Sequence, residues 1–233
     1  MELVQIEVTP QTAAKLVLMD EVDLHGSWSC SIAEKILHEI SCFDLDELLL
    51  LIDGQKHPCH ADCDKVPQFG QMKTILSVPR VILQTGHDLN YAQLGLQLKG
   101  DIHASPTSNI KYGENHGKGA ALLGLALIDN GQIKLSSLSR AFCQIQDTRK
   151  AEKVATMLQF RIPVVRMLLK NACQNTTNGY LPLMQLAEST RRRRAQSIRT
   201  ILKELRTLNH VELNTRLERI VWEETEANNA TKV

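Results

Sequence analysis

Apolar and polar residues alternate with two different periods in the first 70 residues of the chain. Residues 3–8 alternate strictly, which is typical of an amphipathic strand. Thr9-Pro10 then forms a cap and first turn, and helical spacing predicts helices over 10–19, 31–40 and 44–52. The irregular stretch 57–70 contains proline and glycine, and we place a domain boundary there. The pattern therefore predicts a small α/β domain over residues 1–70.

The pattern changes at Met72, where a region with a different order of elements begins. Helical spacing predicts helices over 72–85, 89–98 and 108–125. Asn130-Gly131 then stands between two short β-like runs, and Asn-Gly in this position favours a tight hairpin. Three helices followed by a hairpin are typical of a winged helix-turn-helix, so residues 72–148 are predicted to form one such module.

A similar order of elements recurs in the last third of the chain. Helical spacing predicts helices over 150–160, 162–172, 181–187 and 190–208, and the alternation over 210–221 predicts a strand that would form half of a second wing. Residues 150–222 are thus predicted to form a second winged-helix module, followed by a flexible tail over 223–233. The predicted fold class is mainly α with short β-hairpin wings: a small acidic α/β N-terminal domain followed by two winged-helix modules.

Three segments, 119–125, 128–131 and 135–142, carry a resemblance to a known class of domains. They resemble the end of the third helix, the wing and the following segment of bacterial winged-helix domains. Residues 189–208 are similar to the recognition helix of a second winged module, which often follows the first in restriction, defence and mobile-element genes. The resemblance covers about residues 72–222. It implies a tandem winged helix-turn-helix DNA-binding protein, either a transcriptional regulator or the DNA-recognition component of such a system.

The net charge of +1 hides an uneven distribution of charged residues. Residues 1–72 contain 13 acidic and 4 basic residues, a balance of −9, whereas residues 73–233 contain 13 acidic and 23 basic residues, a balance of +10. A basic region favours nucleic acid as a partner. The acidic region fits a partner-binding or dimerising region or a masking surface, and the sequence does not choose among these.

The basic run over 190–199 is the most informative stretch of the chain. Apolar residues recur every three or four positions from Ala195 to Leu205 and predict one buried helix face, with Ser189 as the N-cap. Arginines at a helix N-terminus are unfavourable by up to about 1 kcal/mol each unless an anion binds there. We therefore expect DNA contacts here, with a solvated charged face as the alternative. The expected contacts are Arg191 and Arg194 to phosphate, Arg192, Gln196 and Arg199 to bases or backbone, and also Arg193 and Lys203.

A glycine-rich run over 113–119 has some features of a phosphate loop but lacks its chemistry. Three residues rather than four separate the first two glycines, and Gly119 follows the lysine where the loop needs Ser or Thr for Mg²⁺. We interpret the run as a recognition helix whose small residues permit a close approach to DNA, starting near Gly117 because glycines weaken helices. The expected DNA contacts are Lys111, Tyr112, Asn115 and Lys118, with Lys134 near a phosphate beside the hairpin tip.

Histidine and cysteine cluster in the irregular stretch. His57, Cys59, His60 and Cys63 supply four possible zinc ligands, but their spacing is tighter than that of an ordinary zinc finger and no second pair stands nearby. An ordinary polar loop is the favoured interpretation, so no metal or other cofactor is expected. The six cysteines do not form a regular disulfide framework and are expected to be reduced thiols.

The remaining features exclude several classes of protein and leave three hypotheses. No catalytic constellation stands out, so no enzyme is expected. No apolar run reaches the length of a membrane span and no secretion signal is recognised, so a cytoplasmic protein is expected. The leading hypothesis is a protein that binds double-stranded DNA, with a homodimer or protein partner through the acidic N-terminal domain. The alternatives are a protein-interaction subunit with the winged helices as assembly modules, and a zinc-dependent enzyme.

Overall fold

Helices dominate the computed structural model, which describes residues 7–19, 29–100 and 105–223. This confirms the mainly α part of the predicted fold class. The helices are α1 (Pro10–Ala13, continued by the π-helical turn Ala14–Leu18), α2 (Cys30–Cys42), α3 (Leu45–Gly54), α4 (Met72–Thr85), α5 (Tyr91–Lys99), α6 (Pro106–Leu122), α7 (Ser137–Gln144), α8 (Thr148–Leu158), α9 (Pro163–Asn171), α10 (Glu188–Leu205) and α11 (Val211–Glu218). The strand expected over residues 3–8 lies mostly outside the described residues.

Side-chain caps explain where several helices begin. Thr9 accepts a hydrogen bond from the backbone N–H of Thr12, and Pro10 occupies the first turn of α1, as predicted. Asp44 caps α3 by accepting from two backbone N–H groups, and Ser105 caps α6 by accepting from one, that of Ser108. Helix α6 therefore begins at Pro106, and the expectation that it starts near Gly117 is wrong.

The predicted hairpin at Asn130-Gly131 is confirmed. Strands β2 (Leu127–Asp129) and β3 (Gln132–Lys134) pair antiparallel, with Ile128 opposite Ile133. Both central residues of the turn have positive φ, 48° for Asn130 and 75° for Gly131, which a type I′ turn requires. Strand β1 (Leu89–Asn90) adds to the other edge of β3, so the sheet order is β1-β3-β2. Helices α4, α5 and α6 contact one another, and the sheet contacts two of them, through β1 on α5 and β2 on α6.

Glycine allows α5 and α6 to pack closely against each other. A Cβ at Gly113 would collide with the carbonyl oxygen of Tyr91, and a Cβ at Gly95 would collide with that of Asn109. Gly117 and Gly119 face the side chains of Ile133 and Ile75. The glycines of α6 thus serve contacts inside the protein, and the expectation that they permit a close approach to DNA is wrong.

The last third of the chain differs from the sequence prediction in two places. Residues 181–187 form only a 3₁₀ turn, Leu181–Leu183, where a helix is expected. Residues 211–218 form helix α11, because Leu213 and Leu217 bury one face at i, i+4 spacing and His210 caps its N-terminus. The strand expected over 210–221 is therefore wrong apart from β5 (Ile220–Val221), which pairs parallel with β4 (Thr177–Asn178). Among the described residues of 150–222, no antiparallel hairpin occurs.

The N-terminal helices pack on both of the following regions. Helix α2 contacts α7 and α8, and helix α3 contacts α9 and α11. Arg161 donates hydrogen bonds to the carbonyls of Val17 and Leu122, so it ties the end of the π-helical turn to α6 and to the 3₁₀ turn after α8. The predicted domain boundaries stay a prediction. Within the described part of the chain, no helix is both long and apolar enough to cross a membrane.

Candidate nucleic-acid interface

Helix α10 has the buried face that its sequence predicts but a different N-terminus. Ala195, Ile198 and Leu205 are fully buried. The N-cap is Ala187 rather than Ser189, and it makes no side-chain cap hydrogen bond. Glu188 lies in the first turn and forms an ion pair of 2.8 Å with Arg192 one turn later. A carboxylate of the chain itself thus supplies part of the negative charge that this helix end favours.

The opposite face of α10 is exposed and carries polar or basic side chains over three turns. Arg192, Arg193, Gln196 and Lys203 are all exposed. From Arg192 to Lys203 the face is about 16 Å long at 1.5 Å rise per residue. We call these four residues the α10 outer face. Four of the seven contacts predicted on this helix therefore reach solvent together.

The other three predicted contacts on α10 are engaged with the protein itself. Arg191 donates to the sulfur of Met184 at 3.4 Å. Arg194 donates to the carbonyl of Val66 and to the sulfur of Cys63. These contacts hold the start of α10 on the segment that precedes α4 and on the turn before α10.

Arg199 is engaged more extensively than the other two. It donates to the hydroxyl of Tyr180 at 3.1 Å, and its guanidinium lies 4.7 Å from the ring centre of Trp222. The two aromatic rings themselves meet edge to face at 5.3 Å. A cation over an aromatic face is attracted to it, so Arg199 fastens α10 to the C-terminal part of the chain.

Helix α6 presents three of its four predicted contact residues to the outside. Lys111 and Lys118 are exposed and Asn115 is half-buried on the same side. Lys118 is 2.6 Å from Glu114, and this hydrogen bond raises the pKa of the lysine. Tyr112 turns toward the protein, with its ring 4.1 Å from that of His116.

The sequence offers no carboxylate or nucleophile as a partner for His116, and the structure shows that this residue is buried in α6. Its Nδ1 lies 2.8 Å from the carbonyl of Tyr112. Burial lowers its pKa, and the hydrogen bond to the carbonyl opposes this effect. The ring therefore packs as a neutral side chain among the buried residues of α6.

A groove joins the exposed faces of α6 and α10. It encloses a cavity of about 420 Å³, with Lys111, Asn115 and Lys118 on the α6 side and Arg193 and Arg194 on the α10 side. The segment 63–68 lines it as well. Four basic side chains and two carboxylates, Glu114 and Asp64, contribute to the lining, so the groove carries an excess of positive charge. We call it the basic groove.

The basic groove collects residues that are far apart in the sequence. Five of the residues predicted to contact DNA line it, from two separate helices. Sequence reasoning missed the contribution of the segment 63–68, which its composition describes only as a polar connection. No local pattern could have placed it here, because its position depends on long-range contacts such as the hydrogen bond from the backbone N–H of Phe69 to Ser197.

Lys134 is placed differently from the other predicted contacts. It lies in β3 beside the hairpin tip, 2.9 Å from Asp129 and 3.9 Å from Asp88. The hydrogen bond to Asp129 raises its pKa. The two carboxylates balance its charge, so the hairpin is not a basic feature of the molecule.

The candidate zinc ligands make separate contacts. His57 Nε2 lies 3.2 Å from the carbonyl of Ile52, His60 Nδ1 lies 3.4 Å from the carbonyl of Leu181, and Cys63 contacts Arg194. Among the described residues, no group of three or more His, Cys, Asp or Glu side chains is arranged to hold a metal ion. All six cysteines are free thiols.

Comparisons with family models, with curated proteins and with solved structures find no match for this chain. The function must therefore be argued from the basic groove and its surroundings.

Proposed function

We propose that the protein binds double-stranded DNA through the basic groove and the α10 outer face. The observation that carries this proposal is the convergence of two basic helix faces, more than 70 residues apart in the chain, on one groove. DNA carries closely spaced phosphates, and lysine and arginine side chains release its condensed counterions when they bind. A surface with several such side chains on adjoining helices is suited to a phosphate backbone.

The order of elements over residues 72–134 supports the proposal. A helix, a short strand, two helices and a hairpin follow one another, and the first strand pairs with the second strand of the hairpin. We propose that this region is a winged-helix module in which α6 is the third, recognition-type helix. The basic groove borders that helix. The last third of the chain lacks a second hairpin among its described residues, so α10 serves as a flanking helix in this proposal.

We choose the proposed DNA contacts by the solvent exposure of each side chain and by the partners that it has within the protein. Arg193, Lys203 and Lys111 reach solvent and are the proposed phosphate contacts, joined by Arg192 and Lys118 once DNA competes with their carboxylate partners. Gln196 and Asn115 are the proposed base contacts, because a side-chain amide can bond adenine through two hydrogen bonds in the major groove. Arg191, Arg194 and Arg199 position α10 through their contacts within the protein, and Arg194 also lines the groove. Lys134 is not a principal contact in this proposal.

The test is fluorescence anisotropy of labelled duplex DNA with the wild type and with the variant Arg193→Ala/Lys203→Ala. We expect the affinity at 0.1 M salt to fall by about tenfold for each phosphate-binding side chain that is removed. The matched control is Arg80→Ala/Arg140→Ala, which removes the same charge from exposed positions of α4 and α7 outside the groove. An equal reduction of affinity in both variants, or no binding by a folded wild type, would overturn the proposal in favour of the protein-interaction hypothesis.

A further inference from the structure

Helix α6 contains one acidic residue, Glu114, and places it in the basic groove. The side chain of Glu114 is 38% exposed, and it lines the groove beside Lys111, Asn115 and Lys118. Binding to DNA phosphates depends on cations, and a carboxylate repels phosphates. A groove that bound only the phosphate backbone would therefore bind more tightly without Glu114. Its position is explained by a contact that uses a charged acceptor.

The ion pair with Lys118 engages only part of this carboxylate. Lys118 Nζ lies 2.6 Å from Oε1 of Glu114, which stands one helical turn earlier in the chain. Such a pair on an exposed helix face stabilises the helix only slightly. A carboxylate has two oxygens with about four acceptor positions. Glu114 can therefore accept a hydrogen bond from a ligand while it keeps Lys118 as its neighbour.

Two lysines flank Glu114 along the same face of α6. Lys111 lies three residues before it and Lys118 four residues after it, so the three side chains share one side of the helix. The two lysines are seven residues apart, which is about 10 Å along the helix at 1.5 Å rise per residue. The major groove of B-DNA is about 12 Å wide and admits an α-helix. When the lysines reach phosphates on the two walls of this groove, Glu114 faces the base edges between them.

The base edges offer few partners for a carboxylate. Cytosine N4 and adenine N6 carry the hydrogen-bond donors of the major groove. Adenine N6 lies next to the acceptor N7, which repels a carboxylate, whereas cytosine presents its amino group without an acceptor. We infer that Glu114 is a specificity-determining residue, which accepts a hydrogen bond from cytosine N4 and so selects a C·G pair under the middle of α6. This inference rests on the proposed function, since it requires α6 to enter the major groove.

The two proposed base contacts on α6 do not compete with each other. Asn115 follows Glu114 directly, so the two side chains leave the helix about 100° apart at 3.6 residues per turn. They therefore reach different base pairs, and a cytosine under Glu114 leaves an adenine accessible to Asn115.

The test is fluorescence anisotropy with two labelled duplexes of equal length, one of alternating G and C and one of alternating A and T. The G-C duplex presents cytosine N4 at every base pair, so no target sequence has to be chosen. We expect Glu114→Ala to lower the ratio of the two affinities, G-C over A-T, by about fivefold, the lower end of what one base contact discriminates. Alanine is the best helix former, so the variant should fold, and circular dichroism checks that it does.

Glu188→Ala is the matched control. Glu188 forms the equivalent i, i+4 ion pair with Arg192 on α10, but it lies outside the lining of the groove. This variant removes the same charge and should keep the wild-type ratio of affinities, because Glu188 has no proposed base contact.

A second G-C duplex, which carries N4-methylcytosine, tests the contact itself. The methyl group replaces the hydrogen that faces the major groove and leaves the pairing with guanine intact. The wild type should bind this duplex about fivefold more weakly than the unmodified one, and Glu114→Ala should bind the two alike.

The outcomes separate this inference from the proposed function. An unchanged ratio in Glu114→Ala, or a wild type that binds the methylated and the unmodified duplex equally, would overturn the inference while DNA binding stands. Equal sensitivity of the wild type and Glu114→Ala to the methyl group would overturn it as well. A folded wild type that binds none of the duplexes would overturn the proposed function and this inference with it.

Discussion

Arginine has two different roles in this chain, and burial separates them. Arg193 reaches solvent at the groove, whereas Arg216 is a buried cation whose side chain is only 5% exposed. Burial opposes the charge of Arg216, but the hydrogen bonds that it donates to Asp53 and Glu212 outweigh burial and raise its pKa. Asp53 accepts two of these bonds, at 2.7 and 2.9 Å. This bidentate pair joins α3 to α11.

Removal of Asp53 should therefore destabilise the protein strongly. In Asp53→Ala the Arg216 charge stays buried without its main partner, and breaking a buried pair in this manner costs about 3–5 kcal/mol. Glu212→Ala is the control, because Glu212 is 42% exposed and bonds the same arginine through one hydrogen bond, so its removal should cost less than about 1 kcal/mol. Urea unfolding measures both changes. Similar destabilisation of the two variants would contradict the role of Asp53 as the main partner.

At the scale of elements, local patterns predicted the helices well where the apolar period was strong. Helix α4 begins and ends as expected, at Met72 and Thr85, because its apolar stripe is regular and Gly86 ends it in the left-handed conformation, φ 72°. The prediction was wrong over 210–221, where Leu213 and Leu217 satisfy both an alternating and a helical pattern. The side chain of His210 caps the N-terminus of this segment and so favours the helix. The spacing of apolar residues does not reveal such a cap.

The glycines of α6 are a second case in which a local sequence pattern does not reveal the reason for a residue. Their number indicated a weak helix, but the reason for them is the contact with α5, which no local pattern reveals. Gly113→Ala should force the two helices apart and cost about 1–3 kcal/mol or more, the usual range for overpacking. Gly54→Ala is the control: a Cβ there meets nothing within 4 Å, so it should leave stability unchanged or slightly raised. Thermal unfolding followed by circular dichroism compares the two, and equal effects would contradict the close packing of α5 on α6.

At the scale of the whole molecule, the candidate site depends on contacts that no single segment contains. The sequence predicted helices at 108–125 and 190–208 and named contact residues on both, but it did not predict that both helices border one groove. Four of the named side chains contact the protein itself: Tyr112, Arg191, Arg194 and Arg199. The segment 63–68 completes the lining of this groove. The hydrogen bond from Arg194 to Val66 holds it against α10, and the next residue, Phe69, donates from its backbone N–H to Ser197 of the same helix. The segment 63–68 belongs to the acidic region 1–72, yet it forms one wall of the basic groove. The net charge of the region alone would not suggest this position.

The salt dependence of duplex DNA binding by Lys111→Ala/Arg193→Ala is the most direct test of DNA binding in the basic groove. The two residues lie on opposite sides of the groove. If both neutralise phosphates of one duplex, the slope of log K against log salt should fall in magnitude by about 1.8, or 0.9 for each phosphate that is no longer neutralised. The control Arg80→Ala/Arg140→Ala should keep the wild-type slope. A groove variant that also keeps the wild-type slope would contradict the claim that the basic groove holds DNA.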